Sequence, residues 1–178
     1  WRSGPGQAFF AALQKELGTL PIIAEDLGLI THAVTHLRQH CGFPGMRVMQ
    51  FAFGDTAHNP YLPHNFEPGT VAYTGTHDND TTVGWWQHAS EAERHAARQY
   101  LGPQAEQEIH WAMIQSLSQS VARTLMTPFQ DVLGLDGRHR MNTPGQAQGC
   151  WTWRFDWSEV NDLPAARLAA MTHAHGRR

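Results

Sequence analysis

Leu20-Pro21-Ile22-Ile23-Ala24-Glu25-Asp26 is a short apolar run that ends on two acids. A strand buried on both faces of a parallel sheet reads this way: continuous apolar residues, then polar chemistry at the carboxyl end. Three further stretches repeat the arrangement. Met46 to Phe53 is rich in Val, Met and Phe and stops at Gly54-Asp55. Val71-Ala72-Tyr73-Thr74 runs into Gly75-Thr76-His77-Asp78, and Thr124-Leu125-Met126-Thr127-Pro128 into Gln130-Asp131. Helical spacing fills the intervals. Gln7 to Leu17 carries apolar residues at helical steps until Gly18, and Thr31 opens a second helix that Gly42 and Pro44 close. Helical patterns then occupy roughly 80–120 with a break at Gly102-Pro103, and an alanine-rich helix covers about Pro164 to His173. Two loops rich in Pro, Gly and Asn, 56–69 and 134–149, and an aromatic block from Trp151 to Trp157 complete the chain. Four strand–helix units in series predict an α/β fold with a parallel sheet. A (β/α)8 barrel needs eight strands and typically about 250 residues, so four units make a small open sheet or half a barrel.

Composition narrows the function. Of 178 residues, 41% are hydrophobic and 16% charged, too apolar and too weakly charged for a disordered tail. A net charge of −3 sets up no basic field, so neither nucleic acid nor an anionic membrane is expected as the main partner. No apolar run is long enough to span a bilayer. Cys41 and Cys150 cannot build a disulfide framework and suit a reducing, cytoplasmic setting. No glycine-rich phosphate loop follows any of the four strands, against a nucleotide fold. The chain begins at Trp1 without a methionine, which reads as a piece of something longer.

Both open α/β sheets and barrels place their chemistry at the carboxyl ends of strands, where Glu25, Asp55, Asp78 and Asp131 fall. Glu25 has two readings. Burial without a cation would raise its pKa toward that of a general acid; alternatively, Glu25 or Asp26 caps a helix or pairs with an arginine. Asp78 sits in the polar string Thr74 to Thr82, where Gly75 permits close backbone approach, yet Asp78, Asn79 or Asp80 could equally cap the next helix. Two carboxylates at different strand ends can face each other across a sugar, as glycoside chemistry demands. His58, His64 and His77 with Asp55 or Asp78 invite a metal reading, but they lack the short paired spacing of a zinc site, and no metal is expected. His32, His36 and His40 repeat along one helix face without an acid or cysteine partner, which suits a solvated or packing face. Trp85, Trp86, Trp151, Trp153 and Trp157 are either sugar-stacking platforms or core, and core is the commoner fate.

Longer strings are more specific. Ile22-Ile23-Ala24-Glu25-Asp26-Leu27-Gly28, Gly45 to Phe53, Asn59-Pro60-Tyr61-Leu62-Pro63-His64-Asn65 and Tyr73 to Thr81 closely resemble the 4-α-glucanotransferases, the amylomaltase or disproportionating family of the α-amylase superfamily. Gly4-Pro5-Gly6, Pro128 to Leu135 and Arg140-Met141-Asn142-Thr143-Pro144-Gly145 extend the resemblance, in the right order, over nearly the whole chain. The resemblance implies a (β/α)8 barrel that breaks and rejoins α-1,4-glucan bonds by a retaining double displacement. Glu25 corresponds to the general acid/base and Asp78 to the carboxylate that holds sugar hydroxyls in the transition state. His77 corresponds to a neighbouring hydroxyl ligand, and Asn79, Asn142 and Pro144 to further substrate-binding positions. Neither metal nor organic cofactor is implied, and the expected partners are malto-oligosaccharides and α-1,4-glucans.

Two departures stand out. The family's nucleophile is an Asp in an Arg-x-Asp-His string, which this sequence lacks. The string would lie upstream of Trp1, so residues 1–178 correspond to the carboxyl-terminal half of the catalytic barrel, about strands five to eight. Such a half has open sheet edges and is expected to self-associate or to pair with its missing amino-terminal half. By itself it is expected to bind glucan without turning it over. Cys150 stands where the family commonly has Asn before the Trp-x-Trp-Arg block.

Overall fold

The computed structural model describes Arg2 and residues 4–177; Trp1, where the chain starts, lies outside them. Helices α1 (Gln7–Leu17) and α2 (His32–His40) precede the first strand, β1 (Gly45–Val48). Strand β2 (Thr70–Tyr73) leads into α3 (Thr82–His88), α4 (Glu91–Leu101) and α5 (Ala105–Ser118). Strand β3 (Thr124–Met126), the one-turn α6 (Phe129–Val132) and α7 (Leu163–Ala174) follow. The sheet is parallel in the order β1-β2-β3, with Gly45 opposite Thr70 and Val71 opposite Thr124.

Among the described residues, three strands form where the sequence predicts four. The Leu20–Ala24 run contributes one parallel bridge, Ala24 to Gly45, with the Ala24 amide donating to Pro44 O at 2.9 Å. Pro21 has no amide to give, and the Ile22 amide turns back to Leu20 O at 2.9 Å, so no ladder can propagate along it. The second expected strand is also shortened. After Val48 the backbone tightens into a 3-10 turn, Met49–Phe51, which buries both Met49 and Gln50 instead of alternating them.

Strand β2 is central and buried, as a near-continuous apolar strand should be. Met49, Phe53, Leu62, Phe66 and Ala72 form the main core with Ala97 and Leu101 of α4 and Ile109, Met113 and Leu117 of α5. A capping box starts α4: Ser90 Oγ accepts from the Glu93 amide at 3.2 Å, and the Glu93 carboxylate accepts from the Ser90 amide at 2.8 Å. Trp111, Ile114 and Val132 make a smaller core against Leu168 and Met171 of α7. Arg177 closes α5 by donating to Leu117 O, Ser118 O, Ser120 O and Ala122 O at 2.8–3.0 Å. Among the described residues, no helix is long and apolar enough to cross a membrane.

Candidate functional site

A cleft of about 540 Å³ opens at the carboxyl ends of the strands. Its walls come from the segment after Ala24, the ends of β2 and β3, and the loop that returns toward Trp151.

The first wall separates the two acids that the sequence left undecided. Asp26 is buried and takes the structural role: Oδ1 accepts from the Met46 amide at 2.7 Å, and Oδ2 lies 3.2 Å from both Arg47 Nη1 and Arg38 Nε. Gly45 is required beside it, because a Cβ there would sit 2.5 Å from Oδ2. With its neighbour pinned, Glu25 is exposed and lines the cleft.

The second wall is the loop after β2. Asn79 Oδ1 accepts from both the amide and the hydroxyl of Thr76, at 2.9 and 2.8 Å, which folds the loop on itself. Gln50 Nε2 donates to Asp80 O at 2.9 Å and passes so close to Gly75 that a Cβ there would meet it at 2.6 Å. Helix α3 is capped by Thr81, whose hydroxyl accepts from the Gly84 amide at 3.0 Å. The capping alternative for Asp78, Asn79 and Asp80 therefore gives way to Thr81. Asp78 is half-exposed in the cleft, and its Oδ1 lies 3.4 Å from His77 Nε2.

A third segment, 137–151, reaches over from beyond β3. Arg140 donates to Asp78 O and to Asn142 O, while Asn142 Nδ2 donates to Asp78 Oδ1 and its amide to His77 O at 3.1 Å. The Asp80 carboxylate packs against Gly84 and Gly137, where a Cβ would fall within 2.4 and 2.8 Å of Oδ1, so the two loops touch closely. Trp151 leans on His77 with ring centroids 5.0 Å apart. Its backbone has φ +63°, a conformation disfavoured for a bulky residue, and its amide is held by Met141 O at 2.7 Å.

Four of the six residues singled out in the sequence, Glu25, His77, Asp78 and Asn79, line this cleft. Asn142 stands behind Asp78 as its hydrogen-bond donor. Pro144 is exposed in the neighbouring loop and does not line the cleft. The remaining strand-end acids part company: Asp55 is exposed on a bend, and Asp131 is buried beneath the site. His64 is engaged elsewhere, with Tyr100 Oη at 3.0 Å and Ala57 O at 2.9 Å. Trp85 and Trp86 pack against the core and Trp153 stacks on Phe155; among the described residues, Trp151 is the tryptophan that lines the cleft. Sequence reasoning overlooked Gln50 and Arg140 as supports of the site loop. Both lie inside strings noted for family resemblance, but a residue that donates only to backbone carbonyls leaves no spacing to read.

Comparison with known proteins agrees with the strings. The family described as 4-alpha-glucanotransferase matches residues 1–159. The chloroplastic/amyloplastic 4-alpha-glucanotransferase of Oryza sativa subsp. japonica is 54% identical over 99% of this chain and 30% of its own length. The 4-alpha-glucanotransferase of Synechocystis sp. is 49% identical over 100% of this chain and 36% of its own length. In three dimensions, the amylomaltase of Streptococcus agalactiae in complex with acarbose superposes with a TM-score of 0.94 at 35% identity, over 99% of this chain and 36% of that one. The chain thus spans about a third of the length of its relatives. On these grounds the chain belongs to the 4-alpha-glucanotransferase family.

Proposed function

We propose that this chain is the part of a 4-α-glucanotransferase that supplies the general acid/base and the hydroxyl-binding carboxylate, on the carboxyl-terminal half of a (β/α)8 barrel. The observation that carries the reading is that Glu25, next to the Ala24 bridge, and the His77-Asp78-Asn79 turn after β2 line one cleft together with Trp151. Glu25 gives its proton to the leaving glycosidic oxygen, and a nucleophile from outside this chain captures the anomeric carbon. Glu25, now a base, takes the proton of an incoming 4-hydroxyl, and the glucan is rejoined with its configuration retained. Asp78 accepts hydrogen bonds from the hydroxyls of the distorted sugar, while the Asn142 amide and His77 hold its carboxylate in place. The exposed face of Trp151 suits the apolar C–H side of a pyranose. The chemistry calls for neither metal nor cofactor. The free edge of β3, where Met126 is half-exposed, suits pairing with further strands, as half of a barrel requires.

A second reading applies to the polypeptide as it stands. The Arg-x-Asp-His string is not in this sequence, so residues 1–178 alone form a glucan-binding unit without turnover. Titration with acarbose and with maltoheptaose tests the shared part. Saturable binding that Asp78→Ala weakens at least about tenfold is expected, the scale of losing hydrogen bonds to a charged acceptor. Absence of binding to either sugar would overturn the glucan reading. Joining the chain to the upstream two thirds of the Synechocystis relative and assaying glucose release from maltotriose tests the catalytic part. Activity that survives Glu25→Gln would overturn the acid/base role.

A further inference from the structure

Of the strand-end acids Asp55 and Asp131, which the reaction leaves unused, the first is exposed and the second is buried. Asp131, on α6, is 1% exposed and lies beneath the cleft rather than in it. Its Oδ2 accepts from Thr74 Oγ1 at 2.6 Å and from Thr82 Oγ1 at 2.8 Å, and its Oδ1 accepts from the Thr82 amide at 2.7 Å. Thr74 is the residue that follows β2, and Thr82 is the first residue of α3. The intervening loop, 75–81, is the one that carries His77, Asp78 and Asn79. A single buried carboxylate therefore closes both ends of the site loop. The other ties, Thr76 to Asn79, Gln50 to Asp80, and Arg140 and Asn142 to Asp78 and His77, brace its middle and leave the two ends unconnected.

We propose that Asp131 is a positioning residue for the sugar-binding loop: it fixes the separation of Thr74 and Thr82, and so sets where Asp78 presents its carboxylate. The proposal rests on the glucan reading for its purpose and on the hydrogen-bond geometry for its substance. A side chain with no acceptor at this position would strand three buried donors, whereas a carboxylate satisfies all of them at once. A loop closed in this way has fewer open states and so loses less entropy when a sugar binds. Because Asp131 belongs to the junction after β3, a shift of that neighbouring junction would move the sugar-binding loop with it.

Backbone amide exchange on the 178-residue chain, with acarbose titration as a second readout, tests the clamp. Asp131→Asn keeps the shape and one acceptor oxygen. It should raise exchange at residues 75–82 by about tenfold or more while amides of α5 stay within about twofold, since none of the Asp131 hydrogen bonds goes to α5. Thr74→Val should raise the same amides, and Thr74→Ser, which retains the hydroxyl, should restore them. Acarbose affinity should fall and recover in the same order. An equal rise in α5, or no rise at 75–82, would overturn the clamp. Should Asp131→Asn fail to fold, the Thr74 pair decides by the same criterion. If the unsubstituted chain does not bind acarbose, the glucan reading falls, and the exchange pattern still decides the clamp.

Discussion

Residues 4–44 and the body that follows them are held together by different means. In the first region Asp26 alone is buried, and neither α1 nor α2 has a buried residue. Phe9, Leu17, Ile23 and Val34 are about half-exposed or more, and Leu29 is almost fully so. A groove of about 670 Å³ runs between α1 and the Ile22 and Phe43 segments. In the body, α5 by itself buries Ile109, Trp111, Met113, Ile114 and Leu117. Both regions carry apolar residues at helical spacing. A stripe of apolar residues states which face wants covering, while coverage depends on whether a partner element is there. The two candidate carboxylates are divided between these regions: Glu25 comes from the weakly packed one, next to the ion-paired Asp26, and Asp78 from the well-packed one.

The largest effect should come from breaking this division at Glu25. In the completed enzyme, Glu25→Gln is expected to lower glucose release from maltotriose about 10²–10⁴-fold, the usual worth of general acid–base catalysis. The melting temperature should stay unchanged, because Glu25 is exposed. A parallel loss of melting temperature would mean that this region does carry stability.

Next come paired truncations in the two regions. Met113→Ala, at a fully buried site, should cost about 2–5 kcal/mol in denaturant unfolding. Leu17→Ala, on the exposed face of α1, should change stability by no more than about 0.5 kcal/mol. Equal losses would show that α1 is packed against something in solution, and would undo the contrast.

Gly45→Ala probes the seam. Its Cβ would fall on the Asp26 carboxylate, so the Asp26 anchor must shift, at about 1–3 kcal/mol for overpacking a tight site. Arg47→Met, which removes one of the two cations, should loosen the same anchor without the clash. Hydrogen exchange of the Met46 amide, the donor to Asp26, reports both changes.

The smallest expected effect is a pH dependence confined to the body. Burial holds the His110 imidazole below its usual value of about 6.5; Glu108 opposes this and Arg167 adds to it. The unfolded chain therefore binds a proton that the folded one does not, as pH falls below about 6.5. Stability contributed by the neutral ring is full above that pH and is lost as pH falls through the depressed value. A series of urea midpoints from pH 7.5 to about 5 should slope downward, and His110→Gln should flatten the slope. His110 sits where it does because Gly134, at φ +67°, leaves room for the ring: a Cβ there would come within 2.8 Å of Nε2.

Much of the site was legible before any fold was known. The strings around Glu25 and Asp78 are long enough to name a family, and an apolar run ending on an acid places Asp78 just beyond the end of β2. The run at 20–24 reads as a strand from its continuous apolar character, yet none of these five residues is buried in the fold. A single proline decided the case by removing the amide a ladder needs. The supports Gln50, Arg140 and Asp131 were not legible, because their partners are backbone carbonyls, amides and hydroxyls far away in sequence.

The parallel α/β character, the family and four residues of the cleft follow from the chain's local patterns, because strand and helix periodicity and local strings are properties of neighbouring residues. Which of two adjacent acids serves as an anchor and which faces the cleft is settled by the contacts of the tertiary structure. Asp26 lies within reach of Arg38, Arg47 and the Met46 amide, all of them contributed from 12 or more residues away, and Glu25 does not. It likewise decided that Thr81 caps α3 and that Asp131 ties Thr74 to Thr82. Such choices depend on which donors and charges converge on one point in space, and that convergence exists only after the sheet has set its register.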